Sequence, residues 1–453
     1  MKFLIVFVFL MLQAFCELSL PSYTSAIVDV GIQQGGIENA VPMQVSKDTF
    51  EVLTGMMNRE QYELVRNSYA EENGIMNLTN TDKEQQELLK DAFTIPMVKL
   101  YDNDINLSDV SDNIIKQKAI ENLKKEYEKI GININHLQTA YLLRTGGRML
   151  AYTLLMMASA FLVGFISSRT AARIGADLRT RVFRKVLSFS NVEMDKFSTA
   201  SLITRSTNDI QQVQMVIVVL MRMALYAPVI GIGGVIKVAG TRTGMGWIVG
   251  VGLVAILMLI SILMSIAMPK FKLMQTLIDD LNRVSREMLT GMLVIRAFSR
   301  ERYEEKRFEG VNDRLMKTQL FTGHTMSFMM PSMTIIMNAL SLMIVWFGSK
   351  GVDMGTLQVG TMIAFISYTM QIVMSFMMLA MMSLHAPRAG VAANRVFEIL
   401  DSESSINDSP ESADYDRMQF SGEISFNNVS FSYPGAIEPA LNNISFTAKP
   451  GKT

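Results

Sequence analysis

Six apolar stretches alternate with charged connectors along this chain, at residues 3–27, 149–166, 213–238, 247–268, 326–347 and 356–384. A helix needs about 20 mostly apolar residues to cross the hydrocarbon layer, so each stretch reads as a membrane-spanning helix. Only residues 239–246 separate the third from the fourth, and Gly240-Thr241-Arg242-Thr243-Gly244 reads as a tight polar turn within a hairpin. The fifth and sixth are joined the same way through Gly348-Ser349-Lys350-Gly351-Val352-Asp353. Connectors 167–212 and 269–323 are long and helical in pattern. The first carries Arg169, Arg173, Arg179, Arg181, Arg184 and Lys185; the second carries Lys270, Lys272, Arg283, Arg286, Arg296, Arg300 and Arg302. The positive-inside rule puts both connectors in the cytoplasm and the short turns outside. An even number of spans then puts the tail from Asp401 in the cytoplasm too.

The start of the chain has two readings. Lys2 followed by the apolar run 3–12 fits a secretory signal, whereas Phe15 before Cys16 spoils a lipoprotein-type cleavage site and residues 17–32 read as a continuing span. In the second reading Pro21 kinks the span and Gly31 ends it. Residues 33–135 then form an outside insert. It is polar and acidic, with a net charge of about −7, and Pro42 and Pro96 interrupt short helical patterns. Asn58 is placed to cap a helix running through Tyr69, and a helix over 114–130 stops at Gly131. The insert is either a small domain that senses, gates or filters substrate, or a tolerated loop insertion of low closure cost.

Composition narrows the class. At 453 residues, 49% hydrophobic and 19% charged, with mean hydropathy +0.24, the chain is too apolar for a soluble domain and too charged to lie wholly in lipid. Zero formal net charge gives no argument for nucleic acid. Cys16 has no partner for a disulfide, and His136, His324 and His385 are too scattered for a metal site.

Three stretches carry chemistry. In the first connector, residues 193–209 break one helical run and start another: Ser198 or Thr199 can cap the new helix, and Asp209 faces Arg205 at i,i+4. Asp195, Lys196 and Phe197 form its bend, where Phe197 offers an apolar knob for a partner groove. In the second connector, Glu287…Gly291…Leu293, Ile295, Arg296, Ala297 and Phe298 form a short apolar patch between charged runs, which is otherwise simply the turn between two long helices. In the tail, residues 423–432 alternate as a strand through Ile424, Phe426, Val429 and Phe431, leading to Ser432, Tyr433, Pro434 and Gly435.

Together these stretches resemble the exporter class of ATP-binding-cassette (ABC) transporters, in the half-transporter form with one membrane domain fused to one nucleotide-binding domain. Residues 393–401, from Ala393 to Asp401, also match how such membrane domains end. The resemblance covers most of the chain apart from the insert. It implies an all-α polytopic membrane protein with six long transmembrane helices extending into the cytoplasm. A small helical extracellular insert and a short β-rich C-terminal fragment of an ATPase domain complete the expected fold. The domain division expected is 1–32 for the first span, 33–135 for the insert, 136–400 for spans two to six, 401–420 for a linker and 421–453 for the nucleotide-binding fragment.

The resemblance further implies coupling helices near 191–198 and 290–297, carrying Asp195, Lys196, Phe197, Gly291, Leu293, Ile295 and Arg296, which turn nucleotide-domain closure into membrane-domain motion. Tyr433 matches the aromatic residue that stacks on adenine; its other reading is a strand aromatic buried in a small sheet. ATP and Mg2+ are the cofactors implied for an intact parent. Gly451-Lys452-Thr453 is not a phosphate loop, because that motif needs glycine where Phe446 stands. The chain is therefore expected not to hydrolyse ATP by itself. It also lacks the amphipathic elbow helix that the family places before its first span.

Partners implied are a second half-transporter, homo- or heterodimeric, the lipid bilayer, and a small hydrophobic, lipid or peptide substrate, in a multi-pass cell-membrane protein of multidrug-efflux type with a cytoplasmic C-terminus. The 37 methionines, dense in the last two spans, suit either an adaptable cavity or lipid-facing filler. Glu17, Arg222 and Lys237 near membrane depth need partners or a wet cavity, and Arg222, mid-span, is the candidate for a cavity or interhelical charge. The competing class is a non-catalytic membrane sensor or scaffold whose insert binds a ligand.

Overall fold

The fold is that of a computed structural model describing residues 2–79, 83–102, 110–241, 243–406, 422–433 and 436–451, with the side chains of 83, 381 and 383–388 outside the description. Arg242, Pro434, Gly435, Lys452, Thr453, the side chain of His385 and most of the 401–420 linker thus lie outside the described residues. Among the described residues, six helical stretches are long and apolar enough to cross a membrane: Lys2–Gln33, Ile134–Leu187, Thr199–Gly240, Gly246–Thr290, Glu301–Asp353 and Val359–Ala380. The last belongs to a helix that continues to Asp401. The first five apolar runs expected from the sequence lie within the first five of these, and the sixth, 356–384, begins three residues before its helix, which starts at Val359.

The helices differ from expectation at their ends. The first passes through Pro21, becomes π-helical at Ile27–Gln33 and continues beyond Gly31. Gly348 to Asp353 stay helical, and the turn to the last helix falls at residues 354–358. Leu357 and Met362 pack over Gly348, and Leu357 also over Gly351.

By its contacts the chain forms two compact units, one of residues 1–166 with 221–382, the other of 167–220 with 383–453. In the first unit, Leu18, Ile230, Ile248, Ile256, Leu340, Ile344, Phe365, Tyr368 and Ile372 interdigitate as a core shared by five of the spans. The second span takes little part. Only 11% of its apolar window is buried, and Leu154, Met157 and Phe161 face outward.

The insert belongs to this unit and has its own core of Val45, Phe50, Leu53, Val65, Leu89, Phe93, Leu123 and Tyr127. Its helices are Lys47–Gly55, Arg59–Ser68, Lys83–Lys99 and Asp112–Lys129. Asn58 caps the second of these in a capping box with Gln61, and Gly131 follows the fourth with φ +80°. Pro96 sits in the last turn of its helix without interrupting it. Beside the expected helices lies a small antiparallel sheet of β1 (Gln44–Ser46), β2 (Tyr69–Glu72) and β3 (Ile75–Leu78), in the order β1-β3-β2.

The insert is fastened to the helix ends beneath it. Ser111 Oγ donates to the Gly355 carbonyl at 2.8 Å, Lys124 Nζ to the Gln33 carbonyl at 2.8 Å, and Asn113 Nδ2 to the Thr356 carbonyl at 3.2 Å. Gly355 takes φ +67°, and a side chain there would strike Ile114. In the second unit, β4 (Ile424–Phe431) and β5 (Leu441–Ala448) form an antiparallel pair, with Phe426 stacked on Phe446 at 4.6 Å.

Candidate functional site

Both connectors carry short helices at the stretches expected. In the first, Asn191–Lys196 is capped by Ser190, and Ser198 caps Thr199–Thr204. Asp195 and Lys196 are exposed, but Phe197 is only 3% exposed. Rather than a presented knob, it is a core residue: it stacks on Phe189 at 5.8 Å, lies beneath the Arg205 guanidinium, and packs with Val182, Leu202, Ile210, Val396 and Ile399. A sequence cannot distinguish an aromatic waiting for a partner from one that closes its own core. Val192 and Met194 are the apolar side chains this short helix exposes.

The expected Arg205–Asp209 pairing is absent among the described residues. The chain is π-helical from Arg205 to Asp209, which breaks the i,i+4 alignment. Arg205 instead reaches Glu398 at 2.8 Å and the Arg395 carbonyl at 3.0 Å, while Asp209 is buried.

Glu193 was not among the sequence candidates. Its carboxylate accepts Ser190 N–H at 2.9 Å, Ser190 Oγ at 2.5 Å and Ser405 N–H at 3.1 Å. Hydrogen bonds from Ser190, aided by those from Ser405, outweigh the cost of desolvation and hold its pKa down to about 2. The capping-box spacing of Ser190 and Glu193 was legible; the link to Ser405, 212 residues away, was not.

The second connector presents an apolar tip. Gly291 caps Met292–Ala297, with its N–H on the Glu287 carbonyl at 2.8 Å. Ser299, at φ +49°, ends that short helix, and Arg300 N–H returns to the Ile295 carbonyl at 2.9 Å. Leu293 is 84% exposed and Phe298 74%; Arg296 is exposed and Ile295 half-buried. Behind the tip, Arg307 bonds Glu287 at 2.6 Å across the two long helices, and Arg283 adds a second contact to Glu287 at 3.3 Å.

Tyr433 is 64% exposed and meets Phe431 edge-on at 5.0 Å, so it is not buried in the sheet. Among the described residues nothing resembles a phosphate loop and no cluster could hold a metal ion.

Of the charges at membrane depth, Glu17 is bonded by the Tyr226 hydroxyl. Arg222 lies exposed in a π-helical turn, Leu220–Ala224, and neither it nor Lys237 forms an ion pair among the described residues. A further buried charge, Asp29, accepts the Gly360 N–H at 2.6 Å and the Ser25 hydroxyl at 3.0 Å, joining the first span to the last.

The family model for the ABC transporter transmembrane region matches residues 108–376. The chain belongs to that family. It is a multi-pass membrane protein carrying the transmembrane region of an ABC transporter. It is 36% identical over 315 residues to an uncharacterized ABC transporter ATP-binding protein of Mycobacterium tuberculosis, covering 70% of this chain and 54% of the relative. It is 27% identical over 301 residues to an ATP-dependent lipid A-core flippase of Shewanella denitrificans, covering 65% and 48%. A fatty acid ABC transporter ATP-binding/permease protein of Mycobacterium tuberculosis is 27% identical over 315 residues, covering 67% and 47%. The chain thus spans about half the length of the curated relatives it matches.

Proposed function

We propose that the chain is the membrane half of an ATP-driven exporter, working as a dimer with a second half-transporter and moving a hydrophobic or lipid-like cargo by alternating access. In this reading, residues 1–32 and 136–400 build the pathway, 33–135 cap it outside, 401–420 link and 421–453 open a cytoplasmic nucleotide-binding domain that takes ATP and Mg2+ in the working assembly. Asp195, Lys196, Gly291, Leu293, Ile295 and Arg296 lie in its coupling helices, Tyr433 stacks on adenine, and Arg222 faces the pathway or a neighbouring helix. Phe197 holds the first coupling helix in place from within its core.

The observation that carries the reading is the second tip. Leu293, Val294 and Phe298 are exposed on and just after a short helix, beside exposed Leu289 at the end of the preceding long helix; the Arg307–Glu287 bond braces this tip, at the end of helices too long to lie wholly in lipid. Exposed apolar side chains on a rigid lever suit a groove on a moving domain. A lipid-like cargo is supported by the relatives named for lipid A-core and fatty acid.

The test is ATP-dependent movement of a fluorescent fatty acid in proteoliposomes bearing the protein expressed from its native locus. Movement that requires ATP and stops with a non-hydrolysable analogue supports the reading; equal leakage without ATP overturns it. One observation favours the sensor alternative: a cleft of about 460 Å3 between the insert and the start of the second span, lined by Ile37, Val41, Met43, Tyr127, Tyr141 and Arg144. Saturable ligand binding there with no ATP-dependent movement would support that class.

A further inference from the structure

We propose that Glu193 is a positioning residue that ties the first coupling helix to the chain leaving the last membrane helix, so that the two move as one piece. This rests on the reading of Asn191–Lys196 as a coupling helix. A carboxylate at the third position of a short helix ordinarily completes a capping box and stops there. Glu193 does this with one oxygen, which takes both the N–H and the hydroxyl of Ser190. Its other oxygen accepts the Ser405 N–H at 3.1 Å, and the Ser190 and Ser405 hydroxyls lie 2.8 Å apart. Residues 402–406 are the first after the last helix, which ends at Asp401.

A second bond runs parallel to the first. Arg205, just past the connector's bend, holds the final turns of the last helix through Glu398 and the Arg395 carbonyl. Between the two polar links lies the apolar cluster of Phe197, Leu202, Val396 and Ile399. The connector is therefore fixed to both the last helix and its exit by polar contacts flanking a dry core. Packed cores shift as units rather than deforming continuously, so a push on the short helix is delivered to the departing chain, and a pull on that chain reaches the helix.

The two oxygens must both accept. A glutamine at 193 would turn an amide NH2 toward either the Ser190 or the Ser405 donors, so a near-isosteric change opens one arm of the bracket.

The experiment uses the whole chain in lipid nanodiscs. Cys16 is the one native cysteine and is buried in the first helix, so Ser190→Cys with Ser405→Cys places an engineered pair where two side-chain oxygens now sit 2.8 Å apart. Mild oxidation should protect both thiols from a maleimide–polyethylene glycol, and adding Glu193→Ala should slow closure at least tenfold. Amide exchange at 402–406 should rise at least tenfold in Glu193→Gln with the last helix still protected. Should the Glu193 variants fail to fold, Ser405→Pro, which removes the outer N–H donor together with the Ser405 hydroxyl, should raise exchange at 190–193 more than Ser405→Ala, which removes the hydroxyl alone. Equal closure with and without Glu193, or unchanged exchange in these variants, would overturn the proposal.

These readouts need no nucleotide, so the bracket can stand even where ATP-dependent movement fails. Where movement is seen, Glu193→Gln should lower cargo moved per ATP hydrolysed; equal loss of movement and hydrolysis would mean a merely structural role.

Discussion

Asp29 shows how a single buried carboxylate can join two spans. It is 3% exposed and placed against the first turn of the last helix, where backbone N–H groups have no partner within the helix. Gly360 makes the approach possible: a Cβ there would lie 2.5 Å from both the Asp29 carboxylate and the Ser25 carbonyl. Gly360→Ala should therefore destabilise the protein by about 1–3 kcal/mol through overpacking. A lowered thermal midpoint in detergent, with expression and insertion retained, would bear this out; an unchanged midpoint would mean the helices are not so closely joined.

A second carboxylate, Glu126, organises the insert. Burial works against its charge, but hydrogen bonds from Ser46 and Thr49 and the nearby Lys129 ammonium outweigh that cost and hold it below the usual carboxylate range. Because the folded pKa is depressed, its contribution is complete above the unfolded value near 4.5 and is lost as pH falls through the folded value. Glu126→Gln should cost about 1.5–3 kcal/mol at neutral pH, the range for a hydrogen bond to a charged group. It should also flatten the acid-side loss of insert stability, followed by tyrosine near-ultraviolet circular dichroism. An unchanged acid limb would assign that loss to other groups. Neither carboxylate's role was legible in the sequence, because each is defined by partners distant in the chain: Gly360 for Asp29 and Ser46 for Glu126.

At the scale of elements, what the sequence made legible was periodic and local. Six apolar runs became six helices, Asn58 and Ser198 became caps, and the alternation before Tyr433 became a strand. The insert's three strands were missed because they are only 3–4 residues long, too short for alternation to register. One signal could have found two of them. Asn73-Gly74 joins β2 to β3 with φ 57° and 78°, the two-residue hairpin turn that favours Asn-Gly.

The second tip is the element whose exposed face lacks a structural role of its own. Leu293→Asp or Phe298→Asp should leave thermal stability within about 0.5 kcal/mol, as for other surface substitutions. Each should nonetheless abolish ATP-dependent movement of a fluorescent fatty acid in the reconstituted transporter. Movement at the wild-type rate in both variants would remove this tip from the drive train.

For the whole molecule, the account turns on which side of the membrane each part occupies. The proposed function requires the charged connectors and Tyr433 to face the cytoplasm, as the positive-inside rule and an even number of spans lead one to expect, and the insert to face outside. Single cysteines at Asn58, Phe298 and Tyr433 in a Cys16→Ala background, probed in intact cells with a membrane-impermeant maleimide, test this arrangement directly. The account predicts labelling at position 58 in intact cells, and at 298 and 433 only after permeabilisation. Labelling of 298 or 433 from outside, or protection of 58, would contradict it.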